Sequence, residues 1–341
     1  MTFQILTNPS RDILQNSPLE FLRYLGQSTI IDISGKDSSR CRVITTLIHG
    51  NEPSGFMGLH VLLKQGLAPE TNMRFILPSV DAALTQPYFS NRFLPGSKDL
   101  NRCFSDIDNR AAVYQRAQWI KQAIDEVEPE CIVDIHNTSG SSPSFAVAIK
   151  ADKTEKHLAS YFCNEMIHTD IRLGALMEQD FGCPIVTIEC GGAEDIASVK
   201  RAALGLKGIC DDCDRQFTQA AEQVDVYRNP HRVELSKHVQ LVYSNHNDVQ
   251  ADIILVMDIE RRNFGITHKN THIGWIRDGN LSNLCVVNDK NENIVSDFFR
   301  IENNKIFTSR DLKFFMATDK PQLAIQDCLF YIVEPDNREQ R

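Results

Sequence analysis

The sequence predicts an α/β protein, a mostly parallel or mixed sheet flanked by helices, followed by a smaller β-rich C-terminal domain. Three observations lead there. Strand and helix patterns alternate through the first two thirds of the 341 residues. Several of those strands are near-continuously apolar, as expected when helices cover both faces of a sheet. Beyond "DVYRNPHRV" (Asp225 to Val233) the long helix patterns stop, and short β-type runs recur between turn signals. The expected division is residues 1–226 and 227–341.

In order, β-type runs stand at Ser28 to Ser34 ("STIIDIS"), Arg42 to Ile48 ("RVITTLI"), Met73 to Pro78, Cys131 to His136, Ser144 to Ile149 and Pro184 to Glu189. Helix patterns stand at Ser54 to Gln65, Asn109 to Glu126, Thr154 to Ile167 and Ala193 to about Cys210. The C-terminal runs include "HVQLVYS", "ADIILVMDI", "HIGWIRDGN", "KIFTS", "LKFFMA" and "CLFYIVEP". No repeat, Walker-type phosphate loop or strand-to-helix G-x-G-x-x-G turn is present, so nucleotide chemistry has no support.

The net charge of -9 argues against non-specific nucleic-acid binding, which needs clustered Lys and Arg. No apolar stretch approaches the roughly 20 residues that span a bilayer. The N-terminal residues lack the pattern of a secretory signal, so a cytoplasmic protein is expected, its ten cysteines reduced. The pair Cys210 and Cys213 ("CDDC") lacks a second pair or a nearby His and reads as part of a helix end. His268 and His272 in "THKNTHIGW" lack acidic neighbours at matching strand ends and read as an exposed turn.

Ligands of open α/β sheets bind at the carboxyl ends of the strands. "LIHGNE" ends one strand with His49 and Glu52, "VDIHNTSG" ends another with Asp134 and His136, and "VTIECGG" ends a third with Glu189. A lone strand-end His or Glu is usually a solvated rim residue; the coincidence at three strand ends points to a metal. Catalytic zinc takes three ligands from His, Asp or Glu and keeps a position open for water, and His49, Glu52 and His136 supply that set. Strand alternation puts Asp134 on the face of His136, placed to accept the remaining ring N–H of a ligating imidazole, with His49 the favoured partner. Glu189 beside the metal is suited to proton transfer. The polar loop "NRFLPGSKDLNRCFSD" (Asn91 to Asp106) carries Arg92, Asn101 and Arg102, and planar guanidinium groups suit carboxylates and developing oxyanions.

Together, "HGNE", "DLNR", "DIHNT" and "IECGG" resemble the succinylglutamate desuccinylase and aspartoacylase family over roughly Cys41 to Gly192. The resemblance implies a zinc-carboxypeptidase-like fold with a C-terminal β domain, and one zinc per chain on His49, Glu52 and His136. It further implies Glu189 as general base, Asn101 and Arg102 on the substrate's amino-acid carboxylate, and Arg92 as the arginine that polarises the scissile carbonyl. The arginine with which aspartoacylases read the aspartate side chain has no counterpart in "MEQDFGCP" (Met177 to Pro184). The family's C-terminal tyrosine is not placed, though Tyr227 and Tyr243 are available.

The expected activity is zinc-dependent hydrolysis of the amide of an N-acyl amino acid or a similar small carboxylate, with neither nucleic acid nor membrane as partner. The sequence does not set the oligomeric state, and a homo-oligomer is compatible with it. A metallocarboxypeptidase or peptide amidase on the same scaffold is the nearest alternative. A catalytically silent binding protein is the second, against which stands the full set of ligands and the glutamate.

Overall fold

The computed structural model describes residues 3–105, 111–214, 217, 223–236, 238–247, 250–288, 290–326 and 328–337. The first two residues of the helix pattern from Asn109, and Asp106 at the end of the polar loop, lie outside them. The chain forms two compact units, one of Met1–Asn137 and Ser144–Asp225, the other of Thr138–Pro143 and Val226–Arg341.

A sheet of nine strands among the described residues comprises β1 (Gln4–Thr7), β2 (Thr29–Ile33), β3 (Asp37–Thr46), β4 (Thr71–Leu77), β5 (Ile132–Thr138), β6 (Phe145–Ala148), β7 (Glu165–His168) and β8 (Ile185–Gly192), which belong to the first unit but for Thr138, and β9 (Asp225–Arg228), of which only Asp225 does. Their order is β1-β2-β4-β3-β5-β8-β6-β7-β9. The sheet is mixed: β3 runs parallel to β4 and β5, while β2 is antiparallel to β4 and β6 to β8. Helices α1 (Pro18–Leu25), α2 (Ser54–Gln65), α3 (Val80–Leu84), α4 (Ala112–Asp125), α5 (Lys153–Ser160) and α6 (Ile196–Asp211) accompany it.

The apolar runs bury as their composition requires. Val43, Ile76 and Ile132 of the sheet pack with Ala117, Ile120 and Ile124 of α4. Helix α2 packs against α6, and Gly58 permits the approach, because a Cβ there would lie 2.8 Å from the backbone nitrogen of Ala203. Helix α2 occupies the predicted residues and ends on Gly66 in the left-handed conformation, whose N–H bonds the carbonyls of Leu62 and Leu63.

Several elements differ from expectation; β1, α3 and β9 match no predicted run. Helix α1 was not assigned from the sequence, although Ser17 and Glu20 form a capping box around Pro18. The helix predicted over Thr154 to Ile167 stops at Ser160, and Glu165–His168 is a strand paired in parallel with β6. Four residues are too few to show a period of two, so pairing with β6 decides their state.

The second unit contains β10 (His231–Leu235), β11 (Leu241–Tyr243), β12 (Ile253–Leu255), β13 (Ile266–Thr267), β14 (His272–Ile276), β15 (Leu284–Cys285), β16 (Phe299–Glu302), β17 (Lys305–Thr308), β18 (Leu312–Phe315) and β19 (Phe330–Val333), with short helices α7 (Val295–Phe298) and α8 (Pro321–Gln326). They form two five-stranded sheets, β13-β18-β19-β10-β15 and β11-β12-β14-β17-β16. Pairing is antiparallel except between β11 and β12. Val233, Ile253, Ile306, Phe314 and Phe330 are among the residues of its core. Asn263 Nδ2 donates to the carbonyls of Ser141 (3.0 Å) and Ala317 (2.9 Å), fixing the Thr138–Pro143 segment within this unit.

No helix of the described residues is long and apolar enough to cross a membrane. All ten cysteines are unpaired, with Cys210 buried and Cys213 exposed. His268 is exposed beside Asp311, whereas His272 lies against the rings of Trp275 and Phe307.

Candidate metal centre

Strand β3 ends at Thr46, and the chain turns through His49–Glu52 before α2 begins at Ser54. The turn is fixed by its backbone. Glu52 N–H donates to His49 O at 3.2 Å, and the Ser79 hydroxyl donates to Ile48 O at 2.8 Å. Gly50 N–H donates to Arg92 O at 3.0 Å, drawing the polar loop against the turn. Only a glycine fits there: a Cβ on Gly50 would lie 2.6 to 2.7 Å from backbone atoms of Ala82, Ala83 and Asn91.

His49, Glu52 and His136 converge. His49 Nδ1 lies 2.8 Å from Glu52 Oε1, and His136 Nδ1 lies 2.6 Å from Glu52 Oε2. The two ring centroids are 5.0 Å apart, and all three residues are buried. One ligand atom from each falls within 4.8 Å of the others, the only metal-capable group of three His, Cys, Asp or Glu among the described residues.

Both imidazoles turn Nδ1 toward Glu52 and are backed at Nε2 by a carboxylate. His136 Nε2 bonds Asp134 Oδ2 at 2.8 Å, while Asp134 Oδ1 accepts from the Thr45 hydroxyl at 2.5 Å. The expected pairing of Asp134 with His49 is therefore corrected. With Nδ1 of His136 turned to Glu52, its Nε2 reaches back along the strand to the residue two positions earlier. His49 is backed instead by Asp99, whose Oδ1 lies 2.8 Å from His49 Nε2. Asp99 also accepts from Arg92 Nε at 2.9 Å and from the Asn101 N–H at 2.8 Å. It stands in the quoted "DLNR", but its partner is 50 residues away, and no local spacing marks it.

The electrostatics are those of a cation site. Burial pushes Glu52 up, but the two imidazoles outweigh it and hold the carboxyl well below its usual range. Burial likewise opposes the charge on His136, yet Asp134 and Glu52 raise it well above an ordinary histidine. Asp99 is held far below the usual carboxylate range, burial being overcome by His49 and Arg92. A divalent ion held by His49, Glu52 and His136 would supply positive charge beside these carboxylates. The residues present fit such an ion.

Glu189 stands on β8, buried, and its Oε2 has no hydrogen-bond partner among the described residues. Burial pushes its carboxyl up to about 7, with His136 pulling it down and Glu52 raising it. Arg92 places NH1 3.1 Å from Glu52 Oε1. Asn101 and Arg102 lie on a short 3-10 turn capped by Asp99. The side-chain oxygen of Asn101 accepts from Leu176 N–H at 3.0 Å, and Arg102 NH1 donates to Asn101 O at 3.0 Å. Of the tyrosines, Tyr227 accepts from buried Lys313 Nζ at 3.0 Å, while the Tyr243 hydroxyl is buried without a partner among the described residues.

No protein-family model matches the sequence, and no curated protein matches it. Solved structures do. Succinylglutamate desuccinylase/aspartoacylase from Rhodobacter sphaeroides superposes with a TM-score of 0.56, covering 92% of this chain and 89% of that one at 13% identity. The chain has an aspartoacylase-like fold. Murine aminoacylase 3 gives 0.55, with 88% and 96% covered at 13% identity. The product-bound ectoine utilization protein EutE (DoeB) from Ruegeria pomeroyi gives 0.52, with 86% and 84% covered at 15% identity. At these identities the likeness is one of fold, and it extends over both units of the chain.

Proposed function

We propose that this chain is a zinc-dependent amidohydrolase that cleaves the amide of an N-acyl amino acid or a similar small carboxylate. One observation carries the proposal: two carboxylate-backed imidazoles and Glu52 converge, and a buried carboxylate, Glu189, which feels the charge of all three, has an Oε2 with no hydrogen-bond partner among the described residues. The solved structures of the same fold include a desuccinylase/aspartoacylase and an aminoacylase, which favours small N-acyl substrates.

His49, Glu52 and His136 would hold the metal, with Asp99 and Asp134 fixing the ring tautomers that leave each Nδ1 available. When bound, zinc supplies a Lewis acid and makes water acidic enough to act as a nucleophile near neutral pH. Glu189 Oε2 takes a proton from the attacking water and returns it to the departing nitrogen. Arg92 offers positive charge to the carbonyl oxygen as it becomes anionic. Arg102 and Asn101 hold the substrate's carboxylate and so fix the amide in place, an orientation effect of several kcal/mol.

The test is an amine-release screen of the zinc-loaded protein over N-acetyl, N-succinyl and N-formyl amino acids, run beside short peptides. Turnover of N-acyl amino acids is expected. Turnover of peptides alone would replace this reading with a metallocarboxypeptidase.

A further inference from the structure

We infer that Asn137 is a positioning residue that holds the metal-ligand turn and the strand of Glu189 in one frame; the inference rests on the metal-site reading above. Asn137 follows His136 directly and is buried. Its Oδ1 accepts from Ser54 N–H at 3.0 Å, and its Nδ2 donates to Ser54 Oγ at 2.7 Å and to Gly191 O at 2.9 Å. Its own N–H donates to Glu52 Oε2 at 3.3 Å.

Each of these bonds ends on a segment that carries a site residue. Ser54 lies two positions after Glu52, and Gly191 lies two positions after Glu189. The orientation of the amide is unambiguous, since a donor faces one end and a carbonyl the other. Helix α2 has Pro53 at its cap, which offers no side-chain acceptor to the first turn. Asn137 supplies that acceptor from another strand, and so locks the turn holding Glu52 to the strand holding His136.

The link to Gly191 has a separate consequence. Glu189 Oε2 has no protein partner among the described residues, so no hydrogen bond at that atom fixes the carboxylate. Its place follows from the backbone of β8, and the Asn137 amide anchors that backbone two residues further on. One side chain thus sets the distance between the ligand set and the group assigned to proton transfer.

The experiment titrates the metal-free full-length protein with Co2+, reading visible absorption and the Kd by chelator competition. Asn137→Ala is expected to weaken Co2+ binding roughly 10- to 100-fold, the loss typical of a residue that orients ligands, and to change the absorption band. Ser144→Ala, which removes a buried hydrogen bond to Phe162 O, serves as the control. It is expected to lower the melting temperature while keeping the wild-type Kd and spectrum. Should Asn137→Ala fail to fold, Asn137→Asp keeps an acceptor for Ser54 N–H and loses the donor to Gly191. It is expected to retain the wild-type cobalt spectrum, and a spectrum as altered as that of His49→Ala would overturn the inference. Wild-type Kd and spectrum in Asn137→Ala overturn the inference alone; a wild-type chain that takes up no Co2+ overturns the metal reading and this inference with it.

Discussion

His49 Nε2 lies 2.8 Å from Asp99 Oδ1, across 50 residues of chain. Accepting a proton on Nε2, the carboxylate would leave Nδ1 for an ion, and the same carboxylate receives Arg92 and the Asn101 N–H. Asp99→Ala should therefore weaken zinc binding roughly 10- to 100-fold. Competition with a chelator of known affinity measures this, and an unchanged Kd would remove Asp99 from the site.

His136→Ala removes a proposed metal ligand and also leaves Asp134, fully buried, with only the Thr45 hydroxyl as a side-chain partner among the described residues. The variant should lose bound zinc, and its metal-free form should be less stable than the metal-free wild type by about 1–3 kcal/mol, the cost of stranding a buried polar group. Metal analysis and urea unfolding provide the two readings. Tight stoichiometric zinc in this variant would show the ligand set to be wrong.

Glu189→Gln should keep zinc and lose turnover by about 10²–10⁴-fold on any substrate the wild type hydrolyses. It also has a signature in the metal-free protein. Burial raises Glu189 from 4.5 to about 7 in the folded chain, so below pH 4.5 it is protonated in both states and carries no penalty. As pH rises from 4.5 to 7 the unfolded state ionises first, and the wild type should lose stability relative to Glu189→Gln. Above 7 the difference should be constant. Melting temperatures across this range test the sign, and parallel curves would contradict it.

Gly50→Ala drives a Cβ into backbone atoms of Ala82, Ala83 and Asn91. Overpacking of this kind costs about 1–3 kcal/mol, and any relief shifts the His49 turn. Both the melting temperature and zinc affinity should fall; a variant that keeps both would show that the turn has room.

The convergence of His49, Glu52 and His136 was legible because the first two follow an apolar strand, the third lies near the end of another, and the ends of neighbouring parallel strands lie together. Helix α2 was legible for its own reason, its pattern running unbroken from Ser54 to Gln65. Asp99 and Asn137 were not. Their roles lie in partners distant along the chain, Asp99 to His49 and Asn137 to Ser54 and Gly191, and neither has a spacing that marks it. Asp134 was placed on the right face and assigned the wrong imidazole, because alternation fixes the face of a strand residue and leaves the ring rotation open. Strand β7 was hidden by its length, since "EMIH" after the α5 pattern continues a helical spacing as well as it starts a strand.

Zinc K-edge X-ray absorption, on protein loaded with one equivalent of zinc, tests the central claim most directly. Convergence of His49, Glu52 and His136 on one ion requires nitrogen and oxygen neighbours at about 2.0–2.2 Å, with the scattering of two imidazole rings. A spectrum without imidazole scattering, or one dominated by sulfur, would contradict it.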